Sequence, residues 1–171
     1  SVTGVNYVGG IGGEYAVHCS NKTIVDRVVL KVSYSEGNVS GKSKVAGILG
    51  TSSASINTCY SIGEISASES EVGGIAGYMD GMMAYGARIA NCYSLATLSV
   101  GANGNIGGII GDAGVGLNII NSYYAADPNI YTFGGIVGES SGYCNVKNRL
   151  TTLASLGNNL GSHTIRTGCP D

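Results

Sequence analysis

Several groups of residues in this chain have types and spacings that could do chemistry. The segment Gly138-Glu139-Ser140-Ser141-Gly142 matches the G-x-S-x-G pattern that holds a nucleophilic serine where a strand turns into a helix. Such a serine needs an acid and then a histidine further along the chain. Between Ser140 and His163 there is no Asp or Glu, so no hydrolytic triad is expected. A second group is Glu14, Thr51, Tyr78, Asp112 and Glu139, which follow five copies of one glycine-rich phrase. β-Helical enzymes that cleave polysaccharides build active sites from charged groups on neighbouring coils, and a glycosidase needs two carboxylates about 5–10 Å apart. Asp112 and Glu139 would meet that need on adjacent coils. Thr51 and Tyr78 interrupt the series and no basic residue holds an equivalent place, so a solvated turn is the preferred expectation.

The cysteines offer less. Cys19, Cys59, Cys92, Cys144 and Cys169 are an odd number at long, irregular spacings, with no C-x-x-C. His18 beside Cys19 gives two ligands where a zinc site needs at least three. No metal and no cofactor is expected.

Two aromatic or thioether groups suit binding rather than catalysis. Tyr34, Tyr60, Tyr93 and Tyr123 recur at one register of the repeat. Facing inward they would be a core ladder; facing outward they would form an aromatic strip for sugar rings or a protein partner. Ile62 and Leu95 share their parity and favour the inward arrangement, although the Asn that precedes the Cys could mark a bend that resets the alternation. Cys59 and Cys92, one register away, should have the opposite exposure to Tyr. They would lie near enough for a disulfide, but buried thiols are preferred. The loop from Tyr78 to Gly86 holds every methionine of the chain, Met79, Met82 and Met83, together with Tyr85. Methionine is over-used on adaptable binding surfaces, which makes this loop, with Tyr15 of a second insertion, the candidate partner surface.

The elements that must position these groups come from the phrase itself. It reads Val8-Gly9-Gly10-Ile11-Gly12-Gly13, Val45-Ala46-Gly47-Ile48-Leu49-Gly50, Val72-Gly73-Gly74-Ile75-Ala76-Gly77, Ile106-Gly107-Gly108-Ile109-Ile110-Gly111 and Phe133-Gly134-Gly135-Ile136-Val137-Gly138. Each copy is followed by an aliphatic residue (Leu30, Ile56, Ile89, Ile119, Val146) and, four residues later, by the Tyr or Leu150. Short β-prone runs separated by Gly, Asn and Ser are the pattern of strands and turns.

The phrases start 37, 27, 34 and 27 residues apart. From Tyr to the next phrase the distance is nearly constant at 11, 12, 13 and 10 residues. From the last Gly to the Tyr or Leu150 it is 21, 10, 16, 12 and 12. Insertions therefore collect at one point of the unit, over Glu14 to Arg27 and Tyr78 to Ala87. A unit this short cannot bury its own apolar face, and stacking units as coils solves that. The expected fold is an all-β, right-handed parallel β-helix of about five coils with short insertions on one edge. Residues 1–171 form a single domain, with a degenerate last coil or cap over 139–171. The phrase glycines are expected at sharp turns, where φ > 0 is free for Gly and a side chain would meet the backbone above and below.

With 171 residues, 29 glycines, 43% hydrophobic residues, 12% charged residues and a net charge of −2, the chain suits one folded domain. It lacks the basic stripe that nucleic acid or an anionic membrane would require, and no apolar run long enough for a transmembrane helix occurs. The sequence starts at Ser1 inside repeat-like sequence and stops at Cys169-Pro170-Asp171 with no obvious tail, so an excised piece of a longer protein is expected.

The glycine phrase and the later Asn-Cys/Ser-Tyr phrase together resemble the GLUG motif, a glycine-rich repeat of bacterial surface proteins. Its hosts include adhesin-like chains and non-catalytic regions of immunoglobulin A peptidases. The match is best in Val72 to Leu98 and Lys44 to Ile65, good in Asn105 to Tyr124, partial in the first repeat and degenerate after Gly138; Ile replaces the usual Leu throughout. The resemblance implies a β-solenoid on a bacterial cell surface without catalytic residues. The resulting expectation is a non-enzymatic extracellular segment, acting as an adhesin-like surface or rigid spacer, with a host glycan or surface protein as partner. A carbohydrate-active β-helix using the acidic series is the alternative.

Overall fold

The computed structural model describes residues 1–16, 29–81, 87–124, 136–140, 144–147 and 150–151. These residues form strands and no helix. The strands wind into a parallel β-solenoid with five faces. Sheet A holds Val2–Thr3, Val39–Gly41, Glu64–Ala67 and Thr97–Val100. Sheet B holds Asn6–Gly9, Ser43–Ala46, Val72–Gly73 and Ile106–Gly107. Sheet C holds Gly12–Tyr15, Leu49–Ser52, Ala76–Met79, Ile110–Ala113 and Val137–Ser140. Sheet D holds Val29–Lys31, Ser55–Asn57, Arg88–Ala90, Leu117–Ile120 and Cys144–Lys147. Sheet E holds Tyr34–Glu36, Tyr60–Ile62, Tyr93–Ser94, Tyr123–Tyr124 and Leu150–Thr151. Each strand pairs in parallel with its counterpart one rung away, so about three turns are covered by a neighbour on both sides.

The core is a set of columns. Val8, Val45, Val72 and Ile106 share one register in sheet B. Leu30, Ile56, Ile89, Ile119 and Val146 share another in sheet D. The Ile of the phrase forms a third, with Ile48, Ile75 and Ile109 fully buried. Each such side chain contributes about 1.5–3 kcal/mol relative to exposure, which compensates for a coil that lacks a core of its own.

The phrase is the corner between sheets B and C. Its glycines are required by close approach and not, as expected, by positive φ: the only described glycines in that region are Gly63 and Gly116, outside the phrase. A Cβ on Gly74 would fall inside 3 Å of the Gly108 carbonyl oxygen and of the Ser94 side chain. The inward serines of sheet E press on this corner. Ser61 Oγ donates to the Gly74 carbonyl at 2.6 Å and lies 2.9 Å from Ser94 Oγ.

Left-handed residues stand at the corner between sheets D and E of successive rungs, Val32, Thr58, Asn91 and Asn121 with φ of 48°, 56°, 54° and 48°, and within sheet B at Tyr7 and Lys44. Asn tolerates this region best, and the Asn91 and Asn121 amides chain upward from Asn57 at 3.0 and 3.1 Å. The insertions both leave the corner between sheets C and D. The chain needs Tyr15 to Val29 there in the first rung and Met79 to Arg88 in the third, against Ser52 to Ser55 and Ala113 to Leu117.

Candidate functional site

Two outer faces carry the groups singled out in the sequence. On sheet E, Tyr34, Tyr60, Tyr93 and Tyr123 occupy one register. They face outward, which corrects the inward expectation. Tyr34 is 57% and Tyr123 37% exposed, whereas Ser61 and Ser94 one position on are buried. The parity argument linked Tyr to Ile62 and Leu95 correctly, but those two residues are themselves exposed. The corner residue at Thr58 or Asn91 uses up one position of the alternation, so Ile56 points in while Tyr60, four residues later, points out. Cys59 and Cys92 have the opposite exposure to Tyr and are buried thiols. The hydrogen bond with Cys59, and then burial, push the Cys92 thiol up and keep it protonated.

The rings form a continuous stack. Centroids are 5.0, 4.9 and 5.3 Å apart, with interplanar angles of 5°, 4° and 8°. This follows the strand spacing of a parallel sheet, about 4.8 Å. Because the faces of inner rings meet each other, the strip presents ring edges and hydroxyls outward. Tyr60 donates its hydroxyl to Glu36 Oε1 at 3.0 Å. Lost hydration in the stack, then that carboxylate, push the Tyr60 phenol up to about 12.

On sheet C the expected column is present in register: Glu14 pairs with Thr51, Thr51 with Tyr78, Tyr78 with Asp112 and Asp112 with Glu139. The sequence pattern missed a cation. Lys44, from the neighbouring sheet, places its Nζ 4.3 Å from the centre of the Tyr78 ring and 5.5 Å from that of Tyr7. Its φ of 55° is the left-handed turn that aims it out of the sheet-B alternation. Asp112 is half-buried and its Oδ1 is enclosed without a hydrogen-bond partner. Burial, then the charges of Glu139 and Glu71, raise its carboxyl to about 6 against the opposing pull of Lys44. Glu139 accepts from Asn105 Nδ2. A carboxyl near 6 beside a second carboxylate could in principle donate a proton to a leaving group.

The remaining candidates divide. Met79 is 0% exposed in the core, which removes it from any partner surface. Tyr15 is exposed on sheet C, in the column that leads through Ser52 to Met79. Met82, Met83 and Tyr85 lie outside the described residues. Ser140 ends one strand and another begins at Cys144, and the rest of the G-x-S-x-G segment, Ser141 and Gly142, lies outside the described residues. Among the described residues no group of three or more His, Cys, Asp or Glu could hold a metal ion, and no helix is long and apolar enough to cross a membrane.

Fold and faces together define a β-solenoid repeat domain with regular outer columns. Comparison with protein-family models, with curated proteins and with solved structures finds no match.

Proposed function

We propose that this chain is a non-enzymatic repeat segment of a bacterial cell-surface protein, an extracellular spacer whose sheet-E face serves as an adhesin-like binding strip. The observation that carries this reading is the outward tyrosine stack, flanked by the exposed Ile62 and Leu95. Tyrosine offers large, rigid contact area with a polar tip, and here every ring is held in place by the next. With ring faces engaged in the stack, the partner meets edges and hydroxyls, which suits the hydroxyl-rich surface of a host glycan or a polar protein surface. The phrase residues that resemble the GLUG repeat support the extracellular assignment.

A glycan array with the wild type and with a Tyr60→Ser, Tyr93→Ser variant tests it. Signal that disappears in a folded variant supports the strip; equal signal from both proteins sinks it.

A second reading has one observation in its favour, the raised Asp112 carboxyl next to Glu139. In that reading Asp112 is the general acid and Glu139 the second carboxylate of a carbohydrate-active β-helix. Release of reducing ends from a polysaccharide panel, abolished by Asp112→Asn, would establish it and overturn the non-enzymatic reading.

A further inference from the structure

The alternation of inward and outward residues breaks at the corner between sheets D and E but runs on through the corner between sheets E and A. In one rung Ser61, Ile65 and Ala67 are buried, and Tyr60, Ile62, Glu64 and Ser66 lie on the outside. The next rung repeats this, with Ser94, Ala96 and Leu98 buried beneath Tyr93, Leu95, Thr97 and Ser99. Sheets E and A therefore share one outer face, built of four columns two residues apart: tyrosine, apolar, polar and hydroxyl. At about 3.3 Å per residue these columns span about 20 Å across the solenoid. Along the solenoid they recur at each rung, Tyr60 beside Tyr93, Glu64 beside Thr97 and Ser66 beside Ser99.

We propose that this joint face binds an extended, uncharged β-1,4-linked polysaccharide lying along the solenoid axis, one sugar to a rung. Period and charge select that ligand. The ring centroids recur at 5.0, 4.9 and 5.3 Å with rotations of 8° or less, so the period stays straight over four rungs. A compact ligand touches one rung and gains nothing from the next, whereas a linear polymer that advances one unit per rung gains a contact at each. In a chain of β-1,4-linked glucose-type sugars both linkages are equatorial, and each sugar advances by close to the strand spacing of about 4.8 Å. An α-1,4 linkage leaves one bond axial, and the chain curls out of register. Among the described residues in the strands of the two sheets, only Glu36 and Glu64 are charged. Tyr60 donates to the first at 3.0 Å and Asn38 to the second at 3.4 Å. A face with two carboxylates and no cation repels acidic polymers and leaves uncharged ones free to approach. Tyrosine and serine hydroxyls exchange hydrogen bonds with sugar hydroxyls, while Ile62 and Leu95 between them meet the apolar C–H faces of the rings. The width exceeds one sugar chain, so the surface of a packed fibre covers the face better than a lone strand. The proposal rests on the reading of sheet E as a binding strip and narrows its partner to one polymer geometry.

Pull-down of the whole chain on cellulose and chitin, with starch granules as the α-linked control, tests it. The wild type should be retained on the β-linked polymers and not on starch. Soluble β-1,4 oligomers should compete more strongly with each added sugar from the disaccharide to the tetrasaccharide. A Ser66→Ala, Ser99→Ala variant loses two hydroxyls of sheet A that the tyrosine strip does not use, and should bind about tenfold more weakly. Circular dichroism checks that each variant is folded. No retention on cellulose or chitin overturns the proposal, as do equal retention on starch, competition that does not grow with oligomer length, and unchanged binding by the folded serine variant. In those cases the strip itself stands if Tyr60→Ser, Tyr93→Ser still abolishes the glycan-array signal; binding that survives in that variant overturns both.

Discussion

The glycine corner between sheets B and C and the tyrosine face of sheet E repeat together, rung for rung, and tolerate change very differently. At the second glycine of the corner, carbonyls of adjacent rungs and the inward serines leave no room for a side chain, whereas the first small position carries Ala46 in one rung. On the tyrosine face the largest side chains of the repeat stack in solvent. Regular spacing in the sequence thus has two physical origins: exclusion at a crowded backbone, and attraction between identical side chains one strand apart.

The largest expected effect comes from breaking the corner. Gly74→Val pushes branched carbon into the Gly108 carbonyl and Ser94, atoms held by backbone or by the core. Overpacking of this kind costs about 3 kcal/mol or more. Ile75→Val at the next residue removes one methyl from a fully buried side chain and should cost about 0.5–1.5 kcal/mol. Urea denaturation of the two variants measures the difference. Equal losses would show that the corner has room the geometry does not reveal.

A smaller effect is expected on the tyrosine face. Tyr60→Ser and Tyr93→Ser, combined in a double-mutant cycle, should reveal a coupling of about 0.5–1.5 kcal/mol for the stacked pair. Additive losses would mean that the rings are aligned by the strands and gain nothing from contact.

Much of this architecture was legible in the sequence because a parallel solenoid places identical positions of the repeat on top of one another. The columns of Val45, Ile56 and Asp112 follow from counting alone. What counting could not supply was direction at the corners. A left-handed residue at Thr58 or Asn91 shifts the alternation, so the apolar character of Ile62 and Leu95 pointed to the wrong side. Tyr78 and Met79 looked like the first residues of a loop, but the strand continues through both and turns the Met79 side chain into the core. Lys44 escaped notice because it belongs to a different column; only the meeting of sheets B and C brings it over Tyr78. A glycine in the phrase likewise looks the same whether it is needed for φ or for space.

The acidic column of sheet C is the counterpart of the tyrosine column, since like groups one rung apart repel there instead of stacking. Asp112 records that repulsion. Its carboxyl is raised from 3.8 to about 6, by burial first and then by Glu139 and Glu71. The folded protein thus holds the proton more tightly than the unfolded chain. Below about pH 4 both states are protonated and the folded state has the full benefit; as the pH rises from about 4 to about 6 only the folded state keeps the proton, and stability falls. Above about pH 6 the loss is complete. Allowing for the partial exposure of the side chain, it amounts to about 1 kcal/mol. Asp112→Asn keeps the shape and removes the charge, so it should flatten the pH 4–6 slope and stabilise the protein at pH 7 by that amount. Melting curves of both proteins across this range check the sign. An unchanged slope in the variant would assign the titration to another group, and a variant less stable at pH 7 would mean that the attraction of the Lys44 charge outweighs burial and the repulsion from Glu139.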